Sequence, residues 1–346
     1  MNLTTIKKIP TAEEIIQQFP LSEKAIKQIG QDRQEVRDIL AGKNKRMIMI
    51  VGPCSAWPYD AVVEYATKLK CLSDRVKDKL KLILRAYIQK PRTTKGWTGP
   101  VNQPNPFANP DVEEGIKYAR SLMVKVLEMG LPIADECLFT HNATGFQELL
   151  SWVAIGARSV EDQEHRIFAS AIDCPVGMKN QTNGDIQLGV NGIVAAQNNH
   201  VAVFNGFQVE TAGNDYAHLV LRGGSETGPN FSEERLLSAQ KMLARAQVKN
   251  PAIIIDASHD NCLIDGKKDF FRQVQVVKDV MSTLSHRPDL RGIVKGFMVE
   301  SFIKGGNQKL DTAHPENLDR SGLSITDPCL GWEDTEKLIL ELADNL

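Results

Sequence analysis

The chain has 346 residues, 42% of them hydrophobic, and a formal net charge of −2. That is ample material for a large core, and the near-neutral balance excludes a globally basic nucleic-acid binder or a polybasic membrane-surface protein. No run of about 18 apolar residues occurs, so no membrane span is expected, and MNLTTIKKIPTAEE at the start lacks the apolar core of a secretory leader.

Residues 1–45 read as a polar, helical extension. Thr11 and Glu14 form a capping-box pattern opening a short helix. A second helix is expected from Ser22 to Ala41, with Ala25, Ile26, Ile29, Val36, Ile39 and Leu40 as its apolar stripe and Gly42 as its stop. The stripe must pack on the main body or on another subunit.

From Arg46 onward strands and helices alternate. Strands are expected at 47–51, 82–88, 131–135, 152–157, 175–178, 200–205, 218–221, 252–256 and 293–299. Helices are expected at 60–79, 111–129, 144–151, 161–171, 187–197, 232–246 and 268–284. This alternation predicts an α/β fold, a (β/α)8 TIM barrel over residues 46–346. The surplus strand falls at 200–213, which reads as an inserted hairpin before the sixth barrel strand. The cysteines at 54, 71, 137, 174, 262 and 329 include no CxxC pair. In a chain this long they read as reduced thiols, which points to the cytoplasm.

The strand ends carry the chemistry. The first runs into Gly52-Pro53-Cys54-Ser55, and the second carries Arg85, Lys90 and Arg92. The third ends in Asp135-Glu136, the fourth in Arg158 and the fifth in Lys179. The last three end in Arg222-Gly223-Gly224, in Asp256-Ala257-Ser258-His259 and in Glu300. In a barrel of this type the active site lies at these C-terminal ends. One such ending would be unremarkable, because most Lys and Arg are simply exposed. Eight in succession define a site.

Two sets emerge. Arg85, Lys90, Arg92, Arg158, Lys179 and Arg222, with the hydroxyls of Thr93 and Thr94, suit one or two phosphorylated acids. Cys54, His259, Glu300 and Asp327 are all metal-ligand types from neighbouring strand ends. A mixed sulfur, nitrogen and oxygen set suits Mn²⁺, Fe²⁺, Co²⁺ or Zn²⁺. Taken singly, Cys54 reads as a buried structural thiol and His259 as a core histidine; their convergence carries the metal reading. No GxxxxGK[ST], GxSxG or GxGxxG motif is present.

These residues stand in segments that resemble one family. GPCS at 52–55, KPRTT at 90–94, GAR at 156–158 and CPVGMKN at 174–180 are followed by LRGG at 221–224, DASH at 256–259, MVES at 298–301 and SITDPCLGWEDT at 324–335. Together they resemble the class I microbial 3-deoxy-D-arabino-heptulosonate 7-phosphate synthases (phospho-2-dehydro-3-deoxyheptonate aldolases). The resemblance runs from about Arg46 to the C-terminus. It implies a metal-dependent, aldol-type transferase that condenses phosphoenolpyruvate with erythrose 4-phosphate, the first step of the shikimate pathway. It also implies that Cys54, His259, Glu300 and Asp327 bind metal. Arg85, Lys90, Arg158, Lys179 and Arg222 would hold phosphoenolpyruvate, and Lys90, Arg92, Thr93 and Thr94 would meet the sugar phosphate. Lys90, Cys54 and His259 are the residues expected to carry catalysis.

One departure is Ala56-Trp57-Pro58, where the family usually continues Ile-His-Asp. Two alternatives compete. One is a 3-deoxy-D-manno-octulosonate 8-phosphate synthase using arabinose 5-phosphate; its members resemble Lys-Ala-Asn-Arg-Ser where this chain has Lys90-Pro91-Arg92-Thr93-Thr94. The other is a catalytically silent barrel acting as an effector-binding partner. The helix at 22–41 predicts a homodimer or homotetramer. The hairpin at 200–213 looks shortened, so weak or altered sensitivity to an aromatic amino acid is expected.

Overall fold

The computed structural model describes residues 1–346 except 93–94, 139–144 and 205. Eight strands form a closed, all-parallel barrel in sequence order: Met47–Gly52 (β1), Leu80–Arg85 (β2), Ile133–Cys137 (β3), Trp152–Ile155 (β4), Val176–Lys179 (β5), His218–Leu221 (β6), Ile253–Asp256 (β7) and Val294–Glu300 (β8), with β8 pairing back to β1. Parallel strands are covered on both faces, so they need apolar residues at both parities. In β1, Ile48 and Ile50 join the cluster inside the barrel, while Met47, Met49 and Val51 pack outward under the helices. Every residue of β1 and β2 is buried.

Helices Ala12–Gln18 (α1), Glu23–Leu40 (α2), Tyr59–Val76 (α3), Val112–Glu128 (α4), Gln163–Ala171 (α5), Ile186–Gln197 (α6), Glu233–Arg245 (α7), Arg272–His286 (α8), Pro288–Ile293 (α9) and Trp332–Asp344 (α10) complete the described α-structure. No helix among the described residues is long and apolar enough to cross a membrane.

The predicted capping box is present at α1, and Ser22 caps α2. The stripe of α2 is covered by the chain's own barrel. Val36, Ile39 and Leu40 join Ile48, Ile83 and Ile254 at the end of the barrel opposite the strand C-termini. Lys81, one residue into β2, donates to Asp32 at 2.5 Å and Glu35 at 2.7 Å, an ion-pair cluster that pins α2 there. Ile26 alone of the stripe is largely exposed, at 58%.

Val201–Phe204 and Phe207–Glu210 form an antiparallel hairpin between α6 and β6. Its Phe204 stacks on Phe168 of α5, whereas Val201, Val203 and Phe207 face outward.

Several expected boundaries differ. Residue 144 lies outside the described residues, and of 145–151 only Gln147–Leu149 is helical, as a 3₁₀ helix. Gly145 has φ +91°, a left-handed conformation that interrupts an α-helix. Strand β2 stops at Arg85, and 86–88 continue as buried chain. Residues 263–268 form a two-residue-per-strand hairpin, so α8 begins only at Arg272. Helices α9 and α10 were not expected; Leu338, Ile339, Leu342 and Ala343 of α10 complete the outer core.

Candidate active site

Cys54, Glu300 and Asp327 converge at the C-terminal mouth of the barrel, their ligand atoms all within 4.8 Å of one another. Cys54 sits in the turn leaving β1 and is 1% exposed. Glu300 ends β8 and is fully buried. Its Oε1 accepts from Arg85 Nη2 at 2.9 Å, and its Oε2 accepts from the Ser258 hydroxyl at 2.8 Å. Gln273 of α8 brackets the Glu300 backbone with two hydrogen bonds. Asp327, on the loop after β8, pairs with Lys268. The neighbouring Thr326 hydroxyl lies 3.1 Å from Ser55, tying that loop to the Cys54 turn.

His259, the fourth predicted member, opens the 3₁₀ turn after β7 with φ +52° and lines the same cavity without joining the three-ligand cluster. Its Nδ1 lies 2.9 Å from Asp256 Oδ2, close but not aligned as a hydrogen bond. Burial lowers the His259 pKa more than Asp256 restores it, so the ring is neutral with one nitrogen lone pair available. Burial would raise Glu300, but Arg85 and Lys90 hold it well below the usual carboxylate range. Burial and Glu300 push the Cys54 thiol up, against Lys90.

The cations surround this cluster. The fully buried Arg85 donates to the Pro53 carbonyl at 2.5 Å as well as to Glu300, and its guanidinium lies 3.6 Å from the Tyr87 ring centroid. Lys90 donates to the Cys54 carbonyl at 2.8 Å and to its Sγ at 3.1 Å. Lys179 stands 3.3 Å from Asp256 and 3.8 Å from Glu136. Arg222 pairs with Asp260 at 2.5 Å. Arg92 and Arg158 line the cavity wall; Thr93 and Thr94 lie outside the described residues. The cavity measures about 480 Å³, and every described residue of the two predicted sets lines it except Glu300, which lies buried behind it. A larger groove, about 610 Å³, runs between α8, α9 and α10 beneath Leu338 and Leu342, away from these groups.

Sequence reasoning missed several contributors, among them Asp260, the partner of Arg222. Glu136 and Asp256 were visible as strand-end acids but had no assigned partner. Tyr87 stands two residues beyond Arg85, at the extended-chain spacing that puts both on one side. Lys268 was hidden in an expected helix, although Asp265-Gly266 between Leu263-Ile264 and Lys267-Lys268 is a hairpin signal.

The closed barrel and its cationic, metal-competent mouth define an α/β-barrel enzyme for anionic substrates. Residues 18–340 match the model of the DAHP synthetase I family. The chain is 37% identical over 351 residues to a Tyr-sensitive phospho-2-dehydro-3-deoxyheptonate aldolase of Salmonella typhimurium, covering 100% of this chain and 95% of the relative. It is 36% identical over 343 residues to a Trp-sensitive one of Escherichia coli, covering 98% and 95%. A solved aldolase of the same name from Francisella tularensis superposes with a TM-score of 0.92 at 36% identity, covering 99% of this chain and 98% of the other. The chain belongs to the DAHP synthetase I family.

Proposed function

We propose that the protein condenses phosphoenolpyruvate with D-erythrose 4-phosphate to 3-deoxy-D-arabino-heptulosonate 7-phosphate and inorganic phosphate, the first step of the shikimate pathway toward chorismate. The family membership supports this reading over the octulosonate synthase and over a silent barrel. The single observation that carries it is the Lys90 ammonium, 3.1 Å from Cys54 Sγ, set among the buried cations and the three-ligand cluster.

Arg85, Lys90, Arg158, Lys179 and Arg222 hold phosphoenolpyruvate, and Lys90, Arg92, Thr93 and Thr94 receive the sugar phosphate. Cys54, Glu300 and Asp327, with the neutral His259, would hold a divalent ion: Mn²⁺, Fe²⁺, Co²⁺ or Zn²⁺. The donor set fits, because one thiolate, one imidazole and two carboxylates match a borderline ion. Such an ion supplies Lewis-acid polarisation of the aldehyde. The Asp256 carboxylate, 2.9 Å from His259 Nδ1, favours a proton on that nitrogen and so leaves Nε2 its lone pair.

C3 of phosphoenolpyruvate attacks the aldehyde carbon, and Lys90 gives a proton to the developing alkoxide. Burial and Arg85 would lower the Lys90 pKa, but the carboxylates of Glu300 and Asp327 help to hold it above its ordinary value, so the proton is present. Water then adds at C2 and phosphate leaves with C–O cleavage.

Residues 1–45 serve as an extension for assembly and regulation of the catalytic barrel at 46–346, in a homodimer or homotetramer. The outward Val201, Val203 and Phe207 of the hairpin are the supporting surface. Aromatic amino acids would act there weakly or in altered form. Six free cysteines accord with a cytoplasmic enzyme. The test is phosphate release from phosphoenolpyruvate with erythrose 4-phosphate or arabinose 5-phosphate, with and without chelator. Preference for the pentose, or full turnover after verified metal removal, would refute the reading.

A further inference from the structure

Lys268 belongs to neither predicted set, yet it reaches into the centre of the site. Its position follows from a short hairpin. Leu263 pairs with Lys268 and Ile264 with Lys267, antiparallel, across Asp265-Gly266. Both turn residues have positive φ, +49° and +74°, as a two-residue turn of this hand demands. Side chains alternate along an extended strand, so the two adjacent lysines separate. Lys267 is exposed, whereas the Lys268 side chain is only 28% exposed and lines the cavity with Cys54, His259 and Asp327.

There its ammonium forms an ion pair with Asp327 Oδ2. The same carboxylate belongs to the three-ligand cluster with Cys54 and Glu300. Glu300, by contrast, is bound to Arg85, whose guanidinium is fixed by Pro53 and Tyr87. Lys268 is the more movable cation: a flexible four-carbon stem on an exposed hairpin.

We propose that Lys268 is a positioning residue that shares Asp327 with the divalent ion, holding the carboxylate in place and competing for it. The inference rests on the metal assignment proposed above. Two consequences follow from charge alone. A dication entering the cluster meets an ammonium beside one of its ligands, and the repulsion weakens its binding. The ion therefore stays exchangeable with solution, and Asp327 stays ordered by its ammonium partner. Removing the charge while keeping the length of the side chain relieves the repulsion without opening a cavity.

The test is direct Mn²⁺ binding, by titration of chelator-stripped full-length enzyme, read calorimetrically and by the electron paramagnetic resonance of free Mn²⁺. Wild type, Lys268→Met, Lys268→Arg and Cys54→Ser are compared. Lys268→Met is expected to bind Mn²⁺ about tenfold or more tightly than wild type, and Lys268→Arg to stay near wild type. Damage to the fold would weaken binding, so tightening is a signature of lost competition. Equal or weaker binding by Lys268→Met, with wild-type binding still dependent on Cys54, overturns the role of Lys268 alone. Wild-type Mn²⁺ binding that Cys54→Ser leaves unchanged overturns the metal assignment and this inference with it.

Discussion

Tyr87 lies at the meeting point of three of the predicted cations, and replacing it separates the ring from the hydroxyl as the useful part. Its side chain is fully buried. The Arg85 guanidinium carbon is 3.6 Å from the ring centroid, with Lys90 Nζ at 5.7 Å and Lys179 Nζ at 5.6 Å. A desolvated cation over an aromatic face gains about 2 kcal/mol, and more distant ones about 0.5–1 each. The ring thus contributes on the order of 3 kcal/mol to gathering these charges. If half of that is expressed in substrate binding, Tyr87→Leu raises KM for phosphoenolpyruvate roughly tenfold to 30-fold, at about 1.4 kcal/mol per tenfold. Tyr87→Phe keeps the ring and loses only the hydroxyl contact to Met298 Sδ at 3.8 Å. Burial pushes the phenol pKa well up, so no phenolate is lost in that change. Initial rates at varied phosphoenolpyruvate and saturating aldose phosphate measure both variants. Wild-type KM in Tyr87→Leu, or equal damage in Tyr87→Phe, would refute the ring as the platform.

Two further outcomes are expected. Lys90→Ala should lose on the order of 10²-fold or more in kcat, while metal content measured by mass spectrometry is retained; near-normal kcat would make Lys90 a binding residue only. Asp135, 6% exposed, is pushed up to about 8, chiefly by burial, although it accepts from Ile88 N at 3.2 Å. The unfolded carboxyl ionises near 3.9, so this group's contribution to stability is full below about pH 4 and is lost as pH rises toward 8. Thermal melts at pH 5 and pH 8 should show wild type losing ground to Asp135→Asn on going to the higher pH; a constant gap would mean that Asp135 is ionised in the fold.

Much of this architecture is written in local pattern. Runs such as Met47–Val51 and Ile253–Ile255 are apolar at both parities, which only a strand covered on two faces requires. Their polar terminators then mark the functional end. What local pattern cannot specify is which charge meets which. Lys81 and Asp32 are 49 residues apart and become the pin for α2 only once the barrel closes. The stripe of α2 was evident, but whether its cover is the barrel or another subunit depends on that closure. The expected helix at 144–151 gave way to a short 3₁₀ turn bounded by Gly145 at φ +91° and by the extended Leu150. Lys268 failed for a different reason: its hairpin is two residues per strand, too short to show periodicity, and it adjoins a true helix.

The pairing of charges also alters how the site's affinity for anions should be understood. Six cations near one another look, in sequence, like an open reservoir of positive potential. In the folded chain the deep ones are committed, Arg85 to Glu300, Lys179 to Asp256 and Arg222 to Asp260, with Lys90 hydrogen-bonded to Cys54 and the unpredicted Lys268 beside them paired with Asp327. This is what burial demands, since an unpaired buried charge costs several kcal/mol. The exposed Arg92 and Lys95 line the cavity and carry no carboxylate partner among the described residues. On the proposed function, the rim charges would attract the anionic substrates, and the deep cations would serve them by sharing or exchanging an existing partner. The acids of the site, Glu300, Asp256, Asp260 and Asp327, offset the cations they pair with, which is how the fold holds positive charge at the strand ends.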